Sequence, residues 1–382
     1  MIGKKHLPNF ASAINAIRKD TSDLDLHVES RRFLVIGGTG FVGTYLVEEL
    51  LARGAAEVRI LCRTPPGDDP TRNEKIHYVT GSVTDAAVVS TACKGIDVIF
   101  HTAANYGKPN FGRFGKGEAV YTMNVGGVEN VIAASKDNGV STLVYTSSTN
   151  VIFDGQTRLE ATEETPYANE KKVDHYSRSK IAAEQKVLSA SDEHLQTCVL
   201  RPNGIYGPRE DFITGKVLGL VKKLRGLPFS INPKQKTDWT FVYNLVFAHF
   251  LFVAKAAQGA KEAAGKAYFI TDCAPPLHTM REFVGGFLRA MGYRIRHWIP
   301  VPKFLMVYGC LFTEWFCHIL SPIVRINPPF TKAEALKSVA AHTHSCERAK
   351  KLLGYRPLFS TTEGLDHMGE ELCERHGVKP NA

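Results

Sequence analysis

One segment near the start of the chain restricts the fold more than any other. Arg31-Arg32-Phe33-Leu34-Val35-Ile36 is followed at once by Gly37-Gly38-Thr39-Gly40-Phe41-Val42-Gly43, and then by the periodic stretch Tyr45-Leu46-Val47-Glu48-Glu49-Leu50-Leu51. The short apolar run reads as a buried parallel strand and the periodic stretch as a helix. Glycines at 37, 40 and 43 provide a tight turn, close backbone approach to a pyrophosphate, and close packing of helix on strand. A helix N-terminus there adds unpaired N–H groups for phosphate. Gly37, Gly38, Thr39, Gly40, Phe41, Val42 and Gly43 are therefore the expected dinucleotide-binding loop.

The chain beyond this loop alternates strand and helix. Glu57–Leu61, Ile76–Val79, Asp97–Phe100, Leu143–Thr146 and Gln196–Leu200 read as strands, with helices near 43–53, 84–93 and 118–138. Such alternation predicts an α/β fold, a Rossmann-type doubly wound parallel sheet, with a smaller C-terminal substrate lobe. Ligands in these sheets lie outside the carboxyl ends of the strands.

Two further features carry chemistry. Asp174-His175-Tyr176-Ser177-Arg178-Ser179-Lys180 leads into Ile181–Leu188, a run of good helix formers without Gly or Pro. Tyr176 and Lys180 then share one helix face, one turn apart. An ammonium near a phenol favours the phenolate, so Lys180 is expected to lower the pKa of Tyr176 toward catalytic usefulness. Ser147 and Ser148 end the fifth strand, where a hydroxyl can hold a substrate oxygen beside the phenol. An acid about 20 residues beyond the glycines selects NAD by binding the ribose 2′-hydroxyl. Cys62 and Arg63 stand there instead. An arginine can pair with a 2′-phosphate, so NADP(H) is expected over NAD(H), the alternative.

Charge and cysteine usage narrow the partners. The formal net charge is +9, from 47 basic and 38 acidic residues, which suits an anionic cofactor or membrane surface. There is no basic tract interleaved with aromatics, no zinc-finger spacing and no RNA-binding signature, so no nucleic-acid partner is expected. The 8 cysteines lack any Cys-x-x-Cys pair, a pattern that predicts reduced thiols in a cytosol-facing protein. His342, His344 and Cys346 have poor ligand spacing, and no metal is expected. Residues 1–30 carry Lys4, Lys5, Arg18 and Lys19 before the first acid, with Phe10, Ile14 and Ile17 on one prospective helix face. A poorly ordered extension is the expectation there. Phe304–Val324 approaches a membrane span in length, but Glu314 and His318, expected on one helix face at spacing four, make spanning costly. Peripheral contact with a membrane interface is expected instead.

These residues resemble a family: the extended short-chain dehydrogenase/reductases of the 3β-hydroxysteroid dehydrogenase group, which includes the sterol-4-carboxylate 3-dehydrogenases. The resemblance covers about 31–366 and is carried by the glycine loop, Phe100-His101-Thr102-Ala103-Ala104, Tyr121-Thr122-Met123-Asn124-Val125, Tyr145–Ser148, Tyr176–Lys180, Leu200–Pro208 and Ala349–Tyr355. It implies hydride transfer between a secondary alcohol or ketone and a nicotinamide, with a sterol or steroid substrate bearing a 3β-hydroxyl or 3-keto group. It assigns Ser148, Tyr176 and Lys180 to catalysis, with Asn124 holding the site together. Ala103 and the Pro202-Asn203-Gly204-Ile205 backbone would contact the cofactor, and Lys180 its ribose. Cys62 and Ser82 depart from NAD-using relatives, which carry Asp, and Tyr243 replaces an Asp common before Asn244.

The organisation expected is an extension over 1–30, a Rossmann domain over 31–204, and a substrate lobe from 205–236 and 270–366. Residues 237–269 would return to the first domain, and 367–382 form a tail. By resemblance the protein sits on the cytosolic face of the endoplasmic reticulum membrane or in the cytoplasm, and relatives are often homodimers; the acid-poor, amphipathic first 30 residues make a mitochondrial transit peptide the lesser option. A sugar-nucleotide epimerase or reductase and a dihydroflavonol-type reductase are alternatives on the same fold. Arg209, Lys222, Lys223, Arg225, Lys234 and Lys236 would serve a diphosphate. A cofactor-sensing protein without chemistry is a further alternative, disfavoured by the intact Ser–Tyr–Lys set.

Overall fold

The computed structural model describes residues 10–67, 73–106, 117–211, 215, 229–230, 235–273, 279–291, 299–320, 323, 328 and 330–376. Seven strands form the central sheet: β1 (Arg32–Ile36), β2 (Glu57–Cys62), β3 (Ile76–Thr80), β4 (Val98–His101), β5 (Thr142–Thr146), β6 (Gln196–Pro202) and β7 (Lys266–Ile270). Their order is β7-β6-β5-β4-β1-β2-β3 and every pairing is parallel. The doubly wound α/β expectation holds, with the strand order reversing between β1 and β4.

Successive side chains of a strand point to opposite faces, and here both faces are covered. Phe33, Val35 and Phe100 pack with the helix Val242–Ala257 on one side. Leu34, Ile36, Ile99 and Leu143 pack on the other against Val131, Ala183 and Val187. Because Ile36 is in register with both Leu61 and His101, and His101 with Tyr145, the strands end together. Gly37, Arg63, Thr102 and Ser147 therefore leave the sheet along one edge, and the candidate site is built there.

Three expectations require correction. Residues 10–20 are not an ordered-poor extension: Phe10–Asp20 is a helix. Phe10 sits among the rings of Tyr45, Phe241, Tyr243 and Phe359, and Arg18 Nε donates to Glu49 Oε2 at 2.9 Å. The apolar stripe of this short helix suffices because a ready aromatic pocket receives it. Tyr243 gains its explanation in the same place, since its hydroxyl donates to Glu49, which also accepts from Arg53 Nε at 2.7 Å. Second, Cys273 and Cys346 form a disulfide with Cα atoms 6.6 Å apart, while the other six cysteines are buried and form no disulfide. The pair is 73 residues apart in sequence, and only the packing of the helix Glu347–Leu353 near the end of β7 brings it together. Third, Glu314 does not share a polar face with His318. Within the helix Lys303–Leu320, Glu314 is buried and accepts the Lys332 N–H at 2.8 Å, whereas His318 is exposed.

His342 and His344 are likewise engaged within the protein. His342 Nε2 lies 3.1 Å from Thr237 Oγ1, and His344 Nδ1 lies 3.1 Å from Asp238 Oδ1. Among the described residues no group of three His, Cys, Asp or Glu side chains is placed to hold a metal. Lys222, Lys223, Arg225 and Lys234 lie outside the described residues, as do parts of the expected substrate lobe.

Candidate active site

The glycine loop joins β1 to the helix Phe41–Ala52. Gly37 has φ +90°, a conformation that glycine adopts without strain. A Cβ at Gly37 would meet the Ala103 nitrogen and Thr102 Oγ1, both at 2.9 Å, and one at Gly43 would collide with the Gly37 carbonyl. The loop thus packs backbone on backbone. The helix opens at Gly40 with no side-chain cap, while Thr39 and Gly40 are exposed. First-turn N–H groups without a side-chain cap are what a pyrophosphate needs, so these residues fit a bound dinucleotide. Ala103 is fixed beside them, its N–H donating to Ile36 O at 3.0 Å. Arg63 follows β2 directly, one strand over, and is exposed.

Tyr176 and Lys180 stand on the helix His175–Ser189, whose N-cap Asp174 accepts the Ser177 N–H at 2.8 Å. Lys180 is buried, and its Nζ donates to Tyr145 Oη at 3.0 Å and to the Thr146 carbonyl at 2.7 Å. The ammonium also lies 4.5 Å from the centroid of the Tyr145 ring. Burial pushes the Lys180 pKa down to about 7, against a smaller upward pull from Glu184. The expected depression of the Tyr176 pKa is absent from this arrangement. Burial pushes this phenol well above its ordinary range, and the phenols of Tyr106 and Tyr145 push it further. The physical reason is that Lys180 directs these hydrogen bonds to β5 and not to Tyr176.

Ser147 and Ser148 have different surroundings. Ser147 is buried and donates to Glu184 Oε2 at 2.5 Å. Ser148 is partly exposed and caps the turn Thr149–Ile152, its Oγ accepting the Asn150 N–H at 3.2 Å. That use of a lone pair leaves the Ser148 O–H to donate elsewhere. Asn124 occupies a π-helical turn, Thr122–Gly126, a distortion that often marks functional positions. Its side chain accepts from Asn105 N at 2.7 Å and donates to Asn105 O at 3.0 Å and Ser179 Oγ at 2.9 Å. Asn124 therefore ties the loop after β4 to the Tyr–Lys helix.

At the end of β6 the four expected cofactor contacts are partly committed within the protein. The Asn203 N–H donates to Thr240 Oγ1 at 3.0 Å, and its side chain donates to Asp238 Oδ1 at 2.9 Å. Ile205 pairs with Thr240, Pro202 with Ile270, and Gly204 turns the chain beneath the Trp239 ring.

Four neighbours of the site escaped the sequence reading. His101 ends β4, is buried with neither ring nitrogen hydrogen-bonded, and is held neutral by burial and by Lys180, its pKa lowered to about 3. Tyr145 receives the Lys180 hydrogen bond. Glu184, fully buried, accepts from Ser147, from Tyr167 at 3.0 Å and from Arg201 Nη2 at 2.5 Å. Tyr106 stacks on Tyr176. Only Glu184 carried a signal, lying four residues past Lys180 on the same helix face.

A parallel Rossmann sheet with a glycine loop at one strand end and a Tyr–Lys helix over another defines a dehydrogenase of the extended short-chain type. A family model described as the 3-beta hydroxysteroid dehydrogenase/isomerase family matches residues 34–303, and the chain belongs to that family. It is 34% identical to the sterol-4-alpha-carboxylate 3-dehydrogenase, decarboxylating, of Bos taurus, over 88% of this chain and 91% of that one. It is 33% identical to short-chain dehydrogenase/reductase family 42E member 1 of Xenopus laevis, over 85% and 84% of the two chains. Among solved structures, an epimerase of Methanothermobacter thermautotrophicus superposes with a TM-score of 0.69 at 19% identity, covering 94% of this chain and 97% of that one. A dTDP-glucose 4,6-dehydratase of Bacillus anthracis in complex with NAD gives 0.65 at 18%, covering 91% and 98%. At such identities the structural likeness shows the fold alone. The protein is an oxidoreductase of CH–OH groups that uses a nicotinamide cofactor.

Proposed function

We propose that this protein interconverts the 3β-hydroxyl and 3-keto groups of a sterol or steroid. The observation that carries the substrate class is its 34% identity, across 88% of the chain, to a sterol 3-dehydrogenase. A bound nicotinamide supplies the hydride acceptor or donor. In oxidation Ser148 donates a hydrogen bond to the substrate oxygen, and Tyr176 takes the hydroxyl proton. Lys180 would help hold the ribose of a bound cofactor and, with that cofactor's charge, would lower the phenol pKa of Tyr176. Asn124 keeps the Tyr–Lys helix in register with the loop after β4. The deciding assay offers 3β-hydroxysteroids, 4-carboxysterols, UDP-sugars and flavonoid ketones to the purified protein with each cofactor. Turnover of a UDP-sugar without steroid activity ends the steroid reading.

The preferred cofactor is NADP(H). Arg63, exposed beside the glycine loop where an acid would repel a 2′-phosphate, supports this. Arg63→Ala is expected to weaken NADP binding roughly tenfold, the scale of one charge-assisted contact, and to leave NAD nearly unchanged. Calorimetric titration of both cofactors checks it, and tighter NAD binding by the wild type contradicts it.

The protein docks peripherally on a membrane through the helix Lys303–Leu320. Its buried side chains are Cys310, Glu314 and Cys317, while Phe304, Tyr308, Phe312, Trp315, Phe316 and Ile319 are each at least 47% exposed. A helix with its carboxylate inside and its aromatics outside is the inverse of a water-facing helix. No helix among the described residues is long and apolar enough to cross a membrane. Exchanging Phe312 and Phe316 for Glu is expected to reduce sedimentation with lipid vesicles at least about tenfold, given ~1.5–3 kcal/mol per buried apolar side chain. Undiminished sedimentation contradicts the docking. The resemblance supports the cytosolic face of the endoplasmic reticulum.

A further inference from the structure

We propose that the Cys273–Cys346 bridge is a reversible modification site, opened and closed by small thiols of the glutathione type, and that its closure sets how tightly the nicotinamide cofactor is held. The inference rests on the Pro202–Ile205 backbone standing against that cofactor. The other six cysteines are buried and form no disulfide, whereas Cys273 is partly exposed. A disulfide with one half open to solvent is accessible to thiolate attack, unlike a bond sealed in a core. The reduced sulfurs also have partners in place. The Thr271 carbonyl lies 3.2 Å from Cys273 Sγ, and Thr271 Oγ1 lies 3.2 Å from Cys346 Sγ. The fold thus accommodates both states without stranding either thiol.

Both halves of the bridge lead to the same cofactor segment. Cys273 lies three residues beyond β7, whose last carbonyl, that of Ile270, accepts from Thr240 Oγ1 at 2.7 Å. Thr240 Oγ1 in turn accepts the Asn203 N–H at 3.0 Å. The Asp272 N–H, next to Cys273, donates to the carbonyl of Trp239, whose ring covers Gly204. The path from Cys346 is as short. Two residues earlier the His344 N–H donates to Asp238 Oδ2 at 2.6 Å, and Asp238 Oδ1 accepts from Asn203 Nδ2 at 2.9 Å. Cys273 has φ +50°, a left-handed backbone that cysteine seldom adopts, so opening the bond lets that residue relax. Relaxation there loosens the supports of Asn203 and Gly204 together.

The exchange balances with the thiol as reductant. A glutathione thiolate attacks Cys273 Sγ, and the bond to Cys346 Sγ breaks with its electron pair on Cys346, which takes a proton. A mixed disulfide then stands on Cys273. A second thiolate attacks the glutathione sulfur of that bond, Cys273 leaves as thiolate and is protonated, and oxidised glutathione departs. Two protein sulfurs are reduced and two small thiols are oxidised. Oxidised glutathione runs the sequence backward and closes the bridge.

The test equilibrates the purified protein in glutathione buffers from oxidised to reduced and measures cofactor Kd by calorimetry in each. Mass tagging with iodoacetamide reads the thiols at 273 and 346. Reduction is expected to add one tag at each position and to raise the cofactor Kd roughly five- to tenfold, the lower range of coupling between two sites. Return to the oxidised buffer should restore both. Cys346→Ala is expected to show the weaker affinity in every buffer; if that variant does not fold, the wild-type titration alone decides. A Kd that does not follow the tags overturns the proposal. So does a bridge that stays closed in the reduced buffer or never closes in the oxidised one. Asn203→Ala tests the underlying placement, since it should weaken cofactor binding in the oxidised protein by itself. If it does so while Kd ignores the tags, only the bridge fails. If it leaves binding unchanged, the placement of the nicotinamide fails and the proposed route with it.

Discussion

Tyr176→Phe is expected to lower kcat by about a thousandfold, within the range by which a positioned acid or base accelerates proton transfer. The substitution removes one oxygen and keeps the ring that stacks on Tyr106, so the fold and the glycine loop should be untouched. Cofactor affinity should therefore change less than about threefold. Stopped-flow or steady-state turnover, paired with calorimetric cofactor binding, separates these quantities. Equal losses of binding and turnover would mean that Tyr176 supports the site's structure and not its chemistry. Ser148→Ala should cost less, because water can still approach the substrate oxygen where the Ser148 hydroxyl donated.

Glu184→Ala is expected to destabilise the protein by about 3–5 kcal/mol, the cost of leaving a buried charge without its partner. Arg201 has a side-chain exposure of 4% and directs Nε and Nη2 at Glu184, at 3.0 and 2.5 Å. Its guanidinium otherwise faces the rings of Tyr167 and Phe269, which cannot replace a carboxylate. For a chain this long the loss amounts to a fall in Tm of about 5 °C. Replacing Glu184 and Arg201 together by Met should recover much of it, since no isolated charge is then buried. Thermal unfolding of the two single variants and the double variant checks this cycle. A Glu184→Ala protein that melts with the wild type contradicts it. The same carboxylate accepts from Ser147 beside the candidate Ser148, so the loss should loosen the strand end that carries both serines.

The first six strands were legible because a parallel sheet covered on both faces writes each strand as a nearly unbroken apolar run. The glycine loop was legible for a related reason: close backbone packing at Gly37 and Gly43 admits no side chain, so the sequence must show glycine there. Strand β7 was not legible. Its five residues, Lys266 to Ile270, begin with a charge and lie far from the loop that announced the fold. Spacing on one helix exposed Tyr176 with Lys180, but contacts between distant segments leave no periodic trace. Tyr106 on Tyr176, Lys180 on Tyr145, Phe10 in its aromatic pocket and Cys273 beside Cys346 are all of that kind. The pKa of Tyr176 shows the same limit, since the spacing placed a lysine nearby without revealing that its hydrogen bonds go to β5.

The most direct measurement supplies a 3β-hydroxysteroid, or its 4-carboxylated form, with deuterium on the carbinol carbon, together with NADP or NAD. Mass spectrometry of the recovered nicotinamide then reads where the hydride went. Deuterium in the reduced cofactor, lost in Tyr176→Phe, is the expected result. A reduced cofactor free of deuterium, or no steroid turnover beside turnover of a UDP-sugar, would contradict a sterol alcohol dehydrogenase.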